Sequence, residues 1–141
     1  MKGRLAMAGW VVPTVGYALL LGAAGVTIKL ALETIDWRQL VLWVPIVYAV
    51  FAVIFAVVNG TTLPLGRGGF WAVMTAICAA GSLILLFYAL TKGDAGIVVP
   101  VGSAYPIVTL VGSAIFLHEG ITAQRVIGVA LVVAGVAVIS R

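Results

Sequence analysis

The chain of 141 residues is 64% hydrophobic and only 9% charged, with a formal net charge of +4 and a mean hydropathy of +1.28. A soluble domain is nearer ~45–50% apolar and ~25% charged, so these side chains cannot cover a water-facing globule. Disorder, which needs low hydrophobicity and high charge, is excluded too. A bilayer is the solvent that suits this composition.

Five apolar runs follow in chain order: residues 11–32, 39–58, 70–90, 95–117 and 122–139. Each approaches the ~20 residues that, at ~1.5 Å rise per residue, cross a hydrocarbon core ~30 Å thick. None alternates with period two, which disfavours a β-barrel. The expectation is an all-α integral membrane protein, a bundle of five transmembrane helices forming one domain over residues 1–141. The first run exceeds the ~7–15 residues of a leader core and lacks a convincing small-residue cleavage site, so it reads as a span. Trp10, Trp37 and Trp71 stand near span ends, where indole prefers the interface, and Trp43 lies one turn deeper.

The breaks are short and polar. Asn59-Gly60 and Leu63-Pro64, with Gly66, Gly68 and Gly69, are turn chemistry. Pro13, Pro45, Pro100 and Pro106 fall within spans, and each removes a backbone donor and favours a kink. Pro100 and Pro106, with Gly96 and Gly102 close by, make the fourth run the least regular. A static kink and a hinge beside a substrate path both fit that pattern.

Lys2, Arg4, Lys29, Arg38, Arg67, Lys92, Arg125 and Arg141 are single and dispersed, each at or near the edge of a run. That is the pattern of charges flanking membrane spans, not the clustered basic face that nucleic acid requires. Glu33, Asp36, Asp94 and Glu119 also lie at span ends. No carboxylate sits mid-membrane, where burial would raise its pKa for proton coupling. With one histidine, His118, and one cysteine, Cys78, neither an internal disulfide nor a two-cysteine metal site is available, and no paired carboxylates sit at membrane depth for acid–base work. An enzyme is not expected.

Lys29 is the deepest cation, ~4.5 Å inside the end of the first span, a depth its stem can cover by snorkelling. It reads either as an interfacial structural residue, four positions before Glu33, or as a positive charge at one mouth of a pathway. Uncharged polar residues recur at three- and four-residue steps: Tyr17, Ala24 and Thr27 on the first span; Thr75, Cys78 and Ser82 on the third; Gly102, Tyr105, Thr109, Gly112 and Ser113 on the fourth. In hydrocarbon such hydroxyls are expected to face protein or a cavity. Lining of a common centre and hydrogen bonding between helices both account for them. The abundant Gly and Ala of the spans permit close helix approach.

Phe87-Tyr88-Ala89-Leu90, the turn Lys92-Gly93-Asp94-Ala95, Pro100, Tyr105-Pro106, Glu119, Gly128 and Gly135 resemble an EamA-type domain of the drug/metabolite transporter superfamily. Gly22, Lys29, Ala31-Leu32-Glu33 and Ile35-Asp36 resemble that domain's first helix and turn. The resemblance implies transport of metabolites or drugs without a bound cofactor, through a central cavity built largely from the first, third and fourth helices. It places Tyr17, Lys29, Ser82, Tyr88, Ser103 and Tyr105 as candidate pathway residues, with Tyr88 and Ser103 off the polar faces of their helices. Related small multidrug-resistance proteins carry a glutamate in the first helix; here that region reads Leu20-Leu21-Gly22-Ala23, so their proton-coupled cation export does not carry over.

Members of that superfamily commonly hold two such domains as inverted repeats, ten helices in all, and this chain holds one. Alternating access needs two halves rocking about a central site. The expected function is therefore small-molecule transport by a homodimer in the cytoplasmic membrane. An accessory membrane subunit that pairs with another protein, or half of a flippase for a lipid-linked headgroup, are the alternatives. An odd number of spans puts the termini on opposite sides. Lys2, Arg4, Arg67 and Arg125 then fall on one side and Lys29, Arg38, Lys92 and Arg141 on the other, four against four. So even a balance steers insertion weakly, which predicts dual topology and an antiparallel homodimer; the alternative is a parallel dimer, or a heterodimer with an oppositely oriented second half, steered N-terminus-inside by Lys2 and Arg4.

Overall fold

The structure is a computed structural model that describes residues 2–63 and 65–140, with side chains from residue 9 onward. Pro64 and Arg141, and the side chains of Lys2 and Arg4, thus lie outside the described residues. The described residues form six helices and no strand: α1 (Lys2–Leu32), α2 (Trp37–Asn59), α3 (Arg67–Lys92), α4 (Ala95–Gly102), α5 (Pro106–Phe116) and α6 (Ala123–Ile139). They fall into two compact units, one ending at Lys92 and the other beginning at Gly93.

Four stretches are long and apolar enough to cross a membrane: Gly9–Leu32, Trp37–Asn59, Arg67–Lys92 and Ala95–Phe116. The fifth run, α6, has 17 residues, or ~25 Å of helix, at the lower bound for a span. This is the all-helical membrane architecture that the five runs predict.

The helix ends follow from local chemistry. Asp36 caps α2 as half of a capping box: its Oδ1 accepts the Arg38 N–H at 2.8 Å, and Gln39 Oε1 accepts the Asp36 N–H at 3.0 Å. Gly60 closes α2 in the left-handed region, φ 62, where the absence of Cβ removes the steric penalty. Thr122 caps α6 by accepting the Arg125 N–H. His118 ends the α5 segment at φ 54, a left-handed conformation on a residue with a side chain.

Pro13 and Pro45 lie inside continuous helices. The fourth run differs, being two helices and not the single kinked one expected. The proline at 106 supplies no N–H for the carbonyl four residues earlier, and its ring crowds that carbonyl. Ser103, Ala104 and Ile107 instead make bonds to carbonyls three residues back, at 3.0, 3.2 and 3.2 Å, which tightens the chain between α4 and α5. Gly102 therefore ends α4 and Tyr105 lies in the turn that follows, so the polar face read across them is not one continuous helical face. Pro100 stays within α4.

In the first unit α3 packs on both α1 and α2, which also touch each other; in the second, α6 packs on α4 and α5. Phe87 and Leu90 of α3 are the fully buried large side chains among the described residues. Most other large apolar side chains are exposed, including Leu20, Phe51 and Leu85 at 67–75%. Burying apolar surface drives folding in water; in hydrocarbon that drive is absent, and an apolar exterior is what a bilayer requires.

Candidate functional site

The candidate residues divide between the two units. In the first, Lys29, Trp37, Tyr88 and Lys92 gather where α1 and α3 end and α2 begins. Lys29 is half-buried in the last turn of α1, and its Nζ donates to the Leu90 carbonyl oxygen at 2.9 Å. That oxygen belongs to the last turn of α3, whose terminal carbonyls have no partner within the helix. A cation there also meets the negative end of the helix dipole. Lys29 is thus a tertiary cap on α3, a structural use that accounts for its depth.

Tyr88, half-exposed, meets Trp37 edge to face, with ring centroids 5.7 Å apart and planes at 71°. The Arg38 guanidinium lies 5.6 Å from the Trp37 ring centroid and the Lys92 ammonium 5.6 Å from that of Tyr88. Two cations therefore flank an aromatic pair that ties α2 to α3. Sequence reasoning placed Trp37 at the interface and read Arg38 and Lys92 as flanking charges. It missed their association, because the partners are some fifty residues apart in the chain and no local spacing encodes the pairing.

Hydroxyls on the polar faces largely bond within their own helix. Thr27 Oγ1 donates to the Ala24 carbonyl, Thr75 Oγ1 to Trp71, Ser82 Oγ to Ala79 and Ser113 Oγ to Leu110. Such back-bonding satisfies the hydroxyl without a cavity or a second helix. Ser82, for example, has its acceptor at 2.8 Å within α3, so hydrogen bonding alone does not require a second helix beside it. Tyr17 differs. It is 53% exposed near the middle of α1, and a phenol cannot reach back to its own backbone in this way. Tyr48, 62% exposed on α2, is a second mid-span phenol that sequence reasoning passed over.

The structure brings Lys29 and Tyr88 to one end of the first unit. It leaves Tyr17 twelve residues up α1 from Lys29, ~18 Å away along the helix. Ser82 lies six residues before Tyr88 on α3, ~9 Å. In the second unit, Ser103 and Tyr105 share the turn between α4 and α5 with Pro100 and Pro106 on either side. Ser103 Oγ donates to the Pro100 carbonyl, and Tyr105 is 52% exposed.

Among the described residues, the first unit has at least two cavities. One, of about 630 Å³, is lined by residues of the C-terminal half of α2 and the loop after it, among them Phe51, Phe55 and Thr62. Another, of about 300 Å³, lies between α2 and α3 and includes Val41, Tyr48, Ala76, Ala80 and Phe87. Neither is lined by Tyr17, Lys29, Ser82 or Tyr88. Among the described residues no group of His, Cys, Asp or Glu could hold a metal ion. Cys78 is a free, exposed thiol.

A model of the EamA-like transporter family matches residues 9–141. A protein of Methanocaldococcus jannaschii described as uncharacterized is 39% identical over 70 residues, which are 50% of this chain and 51% of that relative. The chain thus spans about half the length of the relative it matches. No solved structure matches.

Proposed function

Since the chain belongs to the EamA-like transporter family, we propose that it is a half-size carrier that moves small metabolites or drugs across the cytoplasmic membrane. The observation that carries this reading is the family match across residues 9–141, on a multi-pass helical membrane protein. Two copies work together as an antiparallel homodimer and alternate access to a site between them. The pathway runs past Tyr17, Lys29, Ser82, Tyr88, Ser103 and Tyr105. The exposed Tyr17 phenol supports it, because a mid-span hydroxyl without a local acceptor needs protein or water beside it. The tight turn between Pro100 and Pro106 is the hinge, since a segment of three-residue bonds is where a span bends most readily.

Purified protein reconstituted without any other protein, and supplied with a panel of labelled metabolites, tests this reading. Uptake that saturates with substrate supports it. Uptake that appears only when a second membrane protein is added would instead identify an accessory subunit. For the pathway, Ser82→Cys and Tyr105→Cys are made in a Cys78→Ala background, because the native thiol is itself exposed. Both are expected to react with water-soluble thiol reagents and to be protected by substrate. Reaction with lipid-soluble reagents alone would place these positions against lipid.

A further inference from the structure

The apolar α2–α3 cavity, of about 300 Å³, opens beside the cation–aromatic cluster at one end of the first unit, room for part of one acyl chain next to two basic side chains. The cavity extends along α3 from Phe87 to Ala76, eleven residues or ~16 Å, which is about one leaflet of a ~30 Å hydrocarbon core. Its lining is apolar, and the small side chains of Ala76 and Ala80 open it. Tyr48 marks its deep end on α2. Its shallow end lies at Val41 and Phe87, one turn or so from Arg38 on α2 and from Lys92 on α3. Arg38 and Lys92 therefore stand at headgroup depth, level with the interfacial indole of Trp37.

Neither cation is used up by the protein. Arg125 pairs with Glu119, whereas Arg38 and Lys92 lie over aromatic rings. The acid adjoining Arg38, Asp36, directs its carboxylate to the backbone cap of α2. Guanidinium and ammonium donors thus remain for a phosphate. We propose that this chain holds one anionic phospholipid of the surrounding bilayer, with an acyl chain in the α2–α3 groove and its headgroup at the basic rim that Arg38 and Lys92 form there. The lipid completes the packing of two helices whose facing residues leave a cavity.

The test is native mass spectrometry of the protein extracted from vesicles of equal phosphatidylcholine and phosphatidylglycerol. Wild type is expected to retain one phosphatidylglycerol per chain in preference to phosphatidylcholine. The preference should be about twenty-five-fold, for two basic residues each worth about fivefold beside an anionic headgroup. Arg38→Gln with Lys92→Gln should bring the ratio near one while the helical circular dichroism is unchanged. Ala80→Leu, a milder filling than an aromatic, should reduce retention of both lipids together. Equal retention of both lipids by wild type would overturn the proposal. So would displacement by excess glycerol phosphate, which would mark a soluble-anion site. An Ala80→Leu variant that loses dimer mass but keeps its lipid would assign the groove to a second copy.

Discussion

The Nζ of Lys29 reaches from the last turn of α1 to the carbonyl oxygen of Leu90 in the last turn of α3, at 2.9 Å. Leu90 is itself fully buried, as is Phe87 three residues before it on α3. A helix-end carbonyl in such a place needs a donor, and the deepest cation of the chain supplies it. Lys29→Met removes the donor and is expected to destabilise the first unit by about 1.5–3 kcal/mol, the usual range for a hydrogen bond from a charged group. Lys29→Arg should retain a large part of that stability. Thermal unfolding in detergent checks both, and a Met variant as stable as wild type would remove the capping role.

Trp37 and Tyr88 join the start of α2 to the end of α3 by an edge-to-face contact. A double-mutant cycle with Trp37→Leu and Tyr88→Leu isolates that contact from the loss of either side chain alone. The expected coupling is about 0.5–1.5 kcal/mol in favour of the pair. A coupling indistinguishable from zero would mean that the rings are neighbours without energetic consequence.

His118 holds φ 54 where Gly60 holds φ 62, and only one of them is a glycine. A side chain in the left-handed region costs about 1–2 kcal/mol. His118→Gly should therefore raise the denaturation midpoint, offset in part by the greater freedom glycine gives the unfolded chain. Gly60→Ala should lower it. The two substitutions shifting the same way would contradict this account.

Pro106 separates α4 from α5. In Pro106→Ala the backbone regains a donor, so a continuous helix across residues 103–106 becomes available. Hydrogen exchange at Ser103, Ala104 and Tyr105 should slow, and if the turn is a hinge, uptake should slow with it. Protection without any change in uptake would make the break a static feature.

Insertion in both directions is the remaining expectation. Cytoplasmic and external reporters fused after residue 141 should give comparable signals. One lysine added near either end should tip the balance, because a near-even distribution of basic residues gives little orienting bias. A one-sided signal that withstands such additions would exclude dual insertion.

The run lengths, the polar breaks and the absence of mid-span carboxylates are properties of the sequence read locally. So is membrane residence: a chain that is 64% hydrophobic has no other solvent, and any fold it adopts must satisfy its backbone internally. Family membership was legible in the same way, from Phe87-Tyr88-Ala89-Leu90 through the turn at Lys92-Gly93-Asp94 to Gly135. The pair of prolines likewise marked the fourth run as irregular. Whether the helix bends or stops there depended on how Ser103, Ala104 and Ile107 rearrange their hydrogen bonds, which composition does not specify. Ser82 and Thr75 look alike in any pattern of polar residues, yet back-bonding to Ala79 and Trp71 decides that neither needs a cavity. Lys29 is the sharpest case. Its depth was countable from the sequence, but its acceptor lies sixty-one residues away. Only the packing of α1 against α3 brings the ammonium to the Leu90 carbonyl, because a tertiary hydrogen bond is set by which helices meet and at what register.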